Sequence, residues 1–368
     1  MVTVAAVQAA PILMNRDATV AKAVGLIAEA ADHGADLIVF PEVYIPGTPI
    51  WYDSNRIWDG DDEWYALLVD QAVVVPSAAT DLIADAAREA GATVVMGINE
   101  RDAHGATIYN TLVYFGPDGA VLTKHRKLVP TGAERTVWGM GDGSTLHVVQ
   151  APFGRVGGLI CWENYMPLAR FAMYAQGIDV WVAPTLATGD GWIATMQHIA
   201  REGRCYVIGV NPCTHVNQIP AGFPMRDRVW DAARDGVWVE DGNSVIVDPG
   251  GEIVAGPARE LETILYADID LAMVHAARRY LDPTATTTGP TCSTSASTPG
   301  PDPPSPSAST SSRLQEMPAR RGCAGSTTMS KVAMGPSSSE IRNQNRPLLP
   351  LPCARPALIN VRVPHPTT

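Results

Sequence analysis

Over the first 284 residues, short apolar runs alternate with amphipathic stretches, and two proline–glycine turns interrupt that alternation. Parallel strands need a long crossover between them, usually a helix, whereas a tight turn joins antiparallel neighbours. Pro117-Asp118-Gly119 separates Tyr109–Phe115 from Ala120–Thr123, and Pro249-Gly250-Gly251 separates Ser244–Val247 from Ile253–Val254. Each reads as a hairpin. Elsewhere strands are expected at Thr3–Gln8, Leu37–Phe40, Thr93–Ile98, Leu146–Val149, Val156–Ile160, Val180–Ala183 and Tyr206–Val210. Helices are expected at Ala18–Ala31 (closed by Gly34), Ser77–Ala90, Met166–Gln176 and Ile193–Glu202, from their 3.6-residue apolar period. The pattern predicts an α/β fold with a mixed sheet covered by helices, since a purely parallel sheet would carry no hairpins. No repeat of fixed period is present.

After Thr284 the text changes. No Phe, Trp or Tyr follows Tyr280, and Pro, Ser, Thr and Ala dominate. Residues 285–368 hold eight Lys/Arg and three Asp/Glu, a net of +5, which leaves −16 of the total −11 on the rest. Such a segment buries too little apolar surface to offset its ordering entropy and is expected to be disordered. Back-translated with GC-rich codons and read one nucleotide out of register, Ala285–Ser293 spells GHYNRPDVL, ordinary globular text. The expectation is a reading-frame shift near Thr284, with residues 1–284 forming the folded domain. Resequencing the gene across that point checks it.

The net charge of −11 gives no support to a nucleic-acid partner. No apolar run approaches the ~18 residues of a membrane span, and the N-terminus lacks the basic n-region of a signal peptide. Six cysteines occur without a CxxC pair, and the histidines show no metal-binding spacing. A disulfide framework or zinc site is therefore not expected, and a reducing, cytoplasmic setting is.

Three segments carry chemistry. Cys161 ends the apolar run Val156–Ile160 and precedes helix-like text, a placement that exposes a thiol on a tight turn. N–H groups at a helix start would favour the thiolate, the reactive form. Glu42 closes Phe40-Pro41-Glu42 at the end of a buried strand, where partial desolvation suits a carboxylate to general acid–base work. Lys127 lies in a polar run ending at Pro130. Taken singly, each has a plainer reading: a structural thiol, a turn-capping carboxylate and a solvated lysine.

Together and in this order they resemble the nitrilase superfamily of carbon–nitrogen hydrolases, from about Val2 to Pro283. Phe40-Pro41-Glu42 resembles its glutamate motif, Lys124–Thr131 its lysine motif, and Cys161-Trp162-Glu163-Asn164-Tyr165-Met166-Pro167 the cysteine motif of the true nitrilases. GHYNRPDVL is similar to a C-terminal stretch of bacterial nitrilases. The resemblance implies an αββα sandwich of two mixed sheets covered by helices. It implies hydrolysis of an organic nitrile to acid and ammonia through a thioimidate on Cys161, with Glu42 as base and Lys127 as donor. No cofactor or metal is needed, and the partners expected are a small nitrile and copies of the chain itself, in a dimer or spiral. Cyanide hydrolysis, amide hydrolysis and an inactive assembly protein are the rival readings.

Glu134 matches a second glutamate of the family, expected to orient Lys127. Trp162 is expected to line the pocket and Thr185 to face the substrate. Glu163 is read as a cap on the following helix, because negative charge is favourable in a first turn. His198 is read as an interior group, and Cys205 and Cys213 as core thiols without catalysis. The aromatic stretch Trp51-Tyr52, Trp58 and Trp64-Tyr65 is read as a loop at the pocket mouth or a subunit contact.

Overall fold

The computed structural model describes residues 1–284, apart from 54–61, 224–225, 228–232 and 234–236. The tail from 285, its expected disorder and frame change, and Trp58 lie outside the described residues.

One sheet contains β1 (Val2–Gln8), β2 (Leu37–Val39), β3 (Thr93–Arg101), β4 (Ile108–Phe115), β5 (Val121–Arg126) and β13 (Thr263–Ile269), in the order β13-β1-β2-β3-β4-β5. The other contains β6 (Val149–Ala151), β7 (Gly154–Gly158), β8 (Val180–Pro184), β9 (Tyr206–Val210), β10 (Cys213–His215) and β11 (Trp238–Val247), in the order β10-β11-β9-β8-β7-β6; β12 (Ile253–Arg259) pairs with β11. β1, β2 and β3 are parallel, as are β7, β8 and β9, and antiparallel strands flank both sets. Both sheets are mixed, as the hairpin signals require.

Alternation along each strand explains the layering, because successive side chains of a strand leave opposite faces. Val4 and Ala6 of β1, Leu37 and Val39 of β2, Val180 and Val182 of β8, and Ile208 of β9 share one buried cluster drawn from both sheets. Their neighbours point the other way. Ala5, Val7 and Ile38 meet helices α1 (Arg16–Asp32) and α3 (Ala78–Ala90), while Trp181, Ala183 and Val207 meet α4 (Pro167–Tyr174) and α5 (Asp190–Gly203). The result is the four-layer αββα sandwich. Helix α1 starts at Asn15, whose side chain accepts the Ala18 N–H at 3.0 Å, and packs through Val20, Ala23, Ile27 and Ala30. Burying each large aliphatic group of this kind contributes ~1.5–3 kcal/mol.

Helix α2 (Asp62–Gln71), strand β10, strand β13 and helix α6 (Leu271–Arg278) had no counterpart in the sequence reading. The strand expected at Leu146–Val149 begins at Val149, after a 3₁₀ turn at Gly143–Thr145 capped by Asp142. β5 runs on to Arg126, and its Lys124 and Arg126 side chains reach over β4 to pair with Glu100 of β3. His198 is a correction: 64% of its side chain is exposed, with Nε2 3.7 Å from Glu202. The inward stripe of α5 is Trp192, Met196, Ile199 and Ala200, and position 198 faces away from it. Among the described residues, no helix is long and apolar enough to cross a membrane.

Glu42, Lys127, Cys161 and Thr185 each follow the C-terminal end of a strand: β2, β5, β7 and β8. Because β4 is antiparallel to both β3 and β5, β5 runs parallel to β2, so Glu42 and Lys127 leave the same edge of their sheet. Topology alone thus gathers residues far apart in the chain.

Candidate active site

Glu42 sits on a segment held hard against β3. A Cβ on Gly97 would come within 2.0 Å of the Pro41 carbonyl, so only glycine permits that approach. The Glu42 carboxylate is buried. Its Oε1 accepts from Lys127 Nζ (2.8 Å) and from Asn110 Nδ2 (2.7 Å), and its Oε2 accepts the Leu186 N–H (3.0 Å). Two donors occupy one oxygen and a single donor the other, which leaves a lone pair of Oε2 as the basic position.

Lys127 has a fully buried side chain, and its ammonium also donates to Glu134 Oε2 at 2.7 Å. Glu134 is the third residue of a 3₁₀ turn, Gly132–Thr136, and the same oxygen accepts the Thr131 N–H at 2.7 Å. Burial alone would lower the lysine pKa, but Glu42, Cys161 and Glu134 outweigh it and raise the ammonium above its ordinary range. Burial and the neighbouring Glu42 charge raise the Glu134 carboxyl, against the pull of Lys127. One buried cation is therefore shared by two carboxylates.

Cys161 begins a 3₁₀ turn, Cys161–Tyr165, with φ +51°, a left-handed conformation that is costly for a residue with a Cβ. The strand-to-turn placement matches expectation, but the expected helix start does not, since α4 begins only at Pro167. Nor does the resting site favour thiolate. Burial, then the Glu42 charge, push the thiol up to about 12, against Lys127 and a hydrogen bond with Thr185. A third anion beside two carboxylates is unfavourable, so the sulfur keeps its proton until a base takes it.

Burial pushes Cys205 up to about 12 as well. An unfolded thiol ionises near ~8.5, so above that pH the unfolded chain releases protons that the folded chain retains. The stability held by these thiols is intact below ~8.5 and falls as pH rises toward 12. Stability measured by urea unfolding from pH 9 to 10, below most tyrosine ionisation, should fall by on the order of 1 kcal/mol per pH unit for each buried thiol. Cys205→Ala should remove one such contribution from the slope.

A cavity of about 570 Å³ opens over Cys161, with walls including Tyr52, Glu134, Trp162, Tyr165, Leu186 and Trp192. Trp162, 52% exposed, meets Tyr165 edge-on at 5.9 Å between ring centroids, and Tyr165 meets Trp192 at 6.0 Å. Tyr52 lines the cavity, whereas Trp51 and Trp64 pack on Phe223 and are not among its walls. Thr185 is a correction: it is fully buried, accepts the Ala187 N–H at 2.9 Å and bonds the Cys161 thiol instead of forming cavity wall. Glu163 is a cap, but of the 3₁₀ turn Cys161–Tyr165 through the Ile160 N–H and not of α4, and its carboxylate also reaches Leu128 and His125. Cys213 and Cys205 are buried free thiols. Among the described residues, no group of three or more His, Cys, Asp or Glu is arranged to hold a metal ion.

Sequence reasoning missed Asn110 and the Leu186 N–H. Asn110 left a signal, as a buried polar residue inside the apolar strand β4. The Leu186 N–H left none, because a backbone donor has no residue identity.

The family model described as carbon–nitrogen hydrolase matches residues 3–279, and the chain belongs to that family. An aliphatic nitrilase of Sinorhizobium fredii is 48% identical over 232 residues, 62% of this chain and 73% of that protein. A nitrilase of Bradyrhizobium diazoefficiens is 42% identical over 272 residues, 73% of this chain and 83% of that protein. A bifunctional nitrilase/nitrile hydratase of Lupinus angustifolius is 44% identical over 56% of this chain, and the match spans 59% of the plant protein. Saccharomyces cerevisiae Nit3, a member of branch 10 of the nitrilase superfamily, has the same fold, with TM-score 0.61 over 78% of this chain and 97% of its own at 22% identity.

Proposed function

We propose that this member of the family hydrolyses an organic nitrile to its carboxylic acid and ammonia, without metal or organic cofactor. The observation that carries the reading is the buried chain Glu42–Lys127–Glu134 acting on the Cys161 thiol at a cavity wall. The names of the relatives at 42–48% identity support the choice of nitrile.

A nitrile carbon is a weak electrophile and needs a soft, strong nucleophile. Glu42 Oε2 takes the thiol proton as sulfur bonds to that carbon, so the buried charge total is unchanged. The nitrile nitrogen gains the electron pair. Lys127 has three N–H bonds, two of them committed to Glu42 and Glu134, and the third stabilises this nitrogen. The Trp162 N–H, at the start of a 3₁₀ turn and without a partner in it, assists. Proton transfer from Glu42 gives the thioimidate. Water then adds, the carbon–nitrogen bond breaks and ammonia leaves, giving a thioester. A second water cleaves the carbon–sulfur bond, and the thiol regains its proton. Glu134 holds Lys127 in place, Trp162 shapes the substrate pocket and Thr185 orients the sulfur.

The proposal includes self-association as a dimer or spiral and a cytoplasmic setting, where a thiol nucleophile stays reduced. Ammonia release from aliphatic, aromatic and arylacetic nitriles, cyanide and simple amides tests it. Release from at least one organic nitrile at the highest kcat/KM is expected. Release only from amides or only from cyanide, or none at all, overturns the reading.

A further inference from the structure

Glu163 is a fully buried carboxylate that the mechanism does not use. Its Oε2 accepts the Ile160 N–H at 2.8 Å, and its Oε1 accepts the Leu128 N–H at 2.6 Å. His125 Nε2 lies 3.1 Å from Oε2 and 3.3 Å from Oε1, and its Nδ1 lies 2.9 Å from the Thr145 hydroxyl. Ile160 immediately precedes Cys161, and Leu128 immediately follows Lys127. One side chain thus grips the backbone next to the nucleophile, after one sheet, and the backbone next to the ammonium, after the other.

We propose that Glu163 is a positioning residue that fixes the spacing between the Cys161 thiol and the Lys127 ammonium. This rests on the function proposed above and deepens it. A carboxylate suits the task because both oxygens only accept, so three donors can converge on it. The cysteine turn needs such a tie, since Cys161 sits in a left-handed backbone conformation that its surroundings must hold. Glu163 acts through the two segments, and its loss displaces reacting groups without emptying the substrate cavity, whose walls do not include it. A misplacement of about 1 Å at reacting atoms costs on the order of 10²-fold in rate.

Glu163→Gln keeps the shape but replaces one acceptor oxygen with an NH₂ group, so one backbone N–H faces another donor. The expected result is a fall in kcat of about 10²-fold with KM within about threefold. Alkylation of Cys161 by iodoacetamide, located by peptide mass mapping, should slow by a similar factor. Glu163→Asp, one methylene too short to span both N–H groups, should change both readouts in the same direction and serves if the first variant does not fold. Rates are expressed per alkylatable Cys161, so partial unfolding is divided out. Unchanged kcat and alkylation rate per thiol, whatever the melting temperature, would overturn the proposal. Alkylation requires no nitrile, so wild-type enzyme that alkylates but hydrolyses no nitrile would refute the proposed function while leaving the clamp measurable.

Discussion

Cys161→Ser is expected to lower nitrile turnover by at least about 10⁴-fold, because removing a nucleophile from a covalent mechanism leaves only binding and electrostatic contributions. Glu42 must already take a proton from a thiol pushed up to about 12. A serine hydroxyl is a far weaker acid, and its oxygen is a poorer nucleophile toward a nitrile carbon. The substitution preserves volume, the hydrogen bond to Thr185 and the cavity wall, so the far-UV circular dichroism and melting temperature should stay close to wild type. Ammonia release above about 1% of wild type would show that covalent attack by this sulfur is not the route.

Lys127→Ala has the second large effect, and it is twofold. The ammonium is the shared partner of Glu42 and Glu134, at 2.8 and 2.7 Å, with its side chain wholly buried. Its removal leaves two closely spaced buried carboxylates without their shared cation. Breaking a buried pair in this way costs about 3–5 kcal/mol, because the remaining charge is uncompensated. Turnover should fall by about 10³-fold or more, the loss expected when the main donor to a developing negative charge disappears. Adding Glu134→Gln to the Lys127→Ala background relieves the like-charge repulsion. The double variant should recover much of the melting temperature and none of the turnover. Recovery of turnover along with stability would reduce Lys127 to a structural role.

The elements that position the site were legible where a local rule dictated them. Pro117-Asp118-Gly119 and Pro249-Gly250-Gly251 announced antiparallel pairs, and those pairs make both sheets mixed. Strand ends marked Glu42 and Cys161, because a buried apolar run that stops at a polar or reactive residue leaves that group at the sheet edge. What stayed hidden depends on contacts between distant segments. The Leu186 N–H reaches Glu42 across 144 positions, and Glu163 reaches Leu128 across 35. Glu163 obeyed a local rule by capping its own 3₁₀ turn, but its contacts with Leu128 and His125 on the other sheet's segment could not be read locally. The protonation of Cys161 was also beyond a motif: it follows from burial and from the carboxylates that surround it, not from the turn it begins.

The most direct test of covalent nitrile hydrolysis at Cys161 is peptide mass mapping of enzyme quenched in acid during steady turnover. An acyl or imidoyl adduct of the nitrile is expected on the peptide containing Cys161, absent from Cys161→Ser and from enzyme without substrate. An unmodified Cys161 peptide during continuing ammonia release, or an adduct found on Cys205 or Cys213 instead, would contradict it.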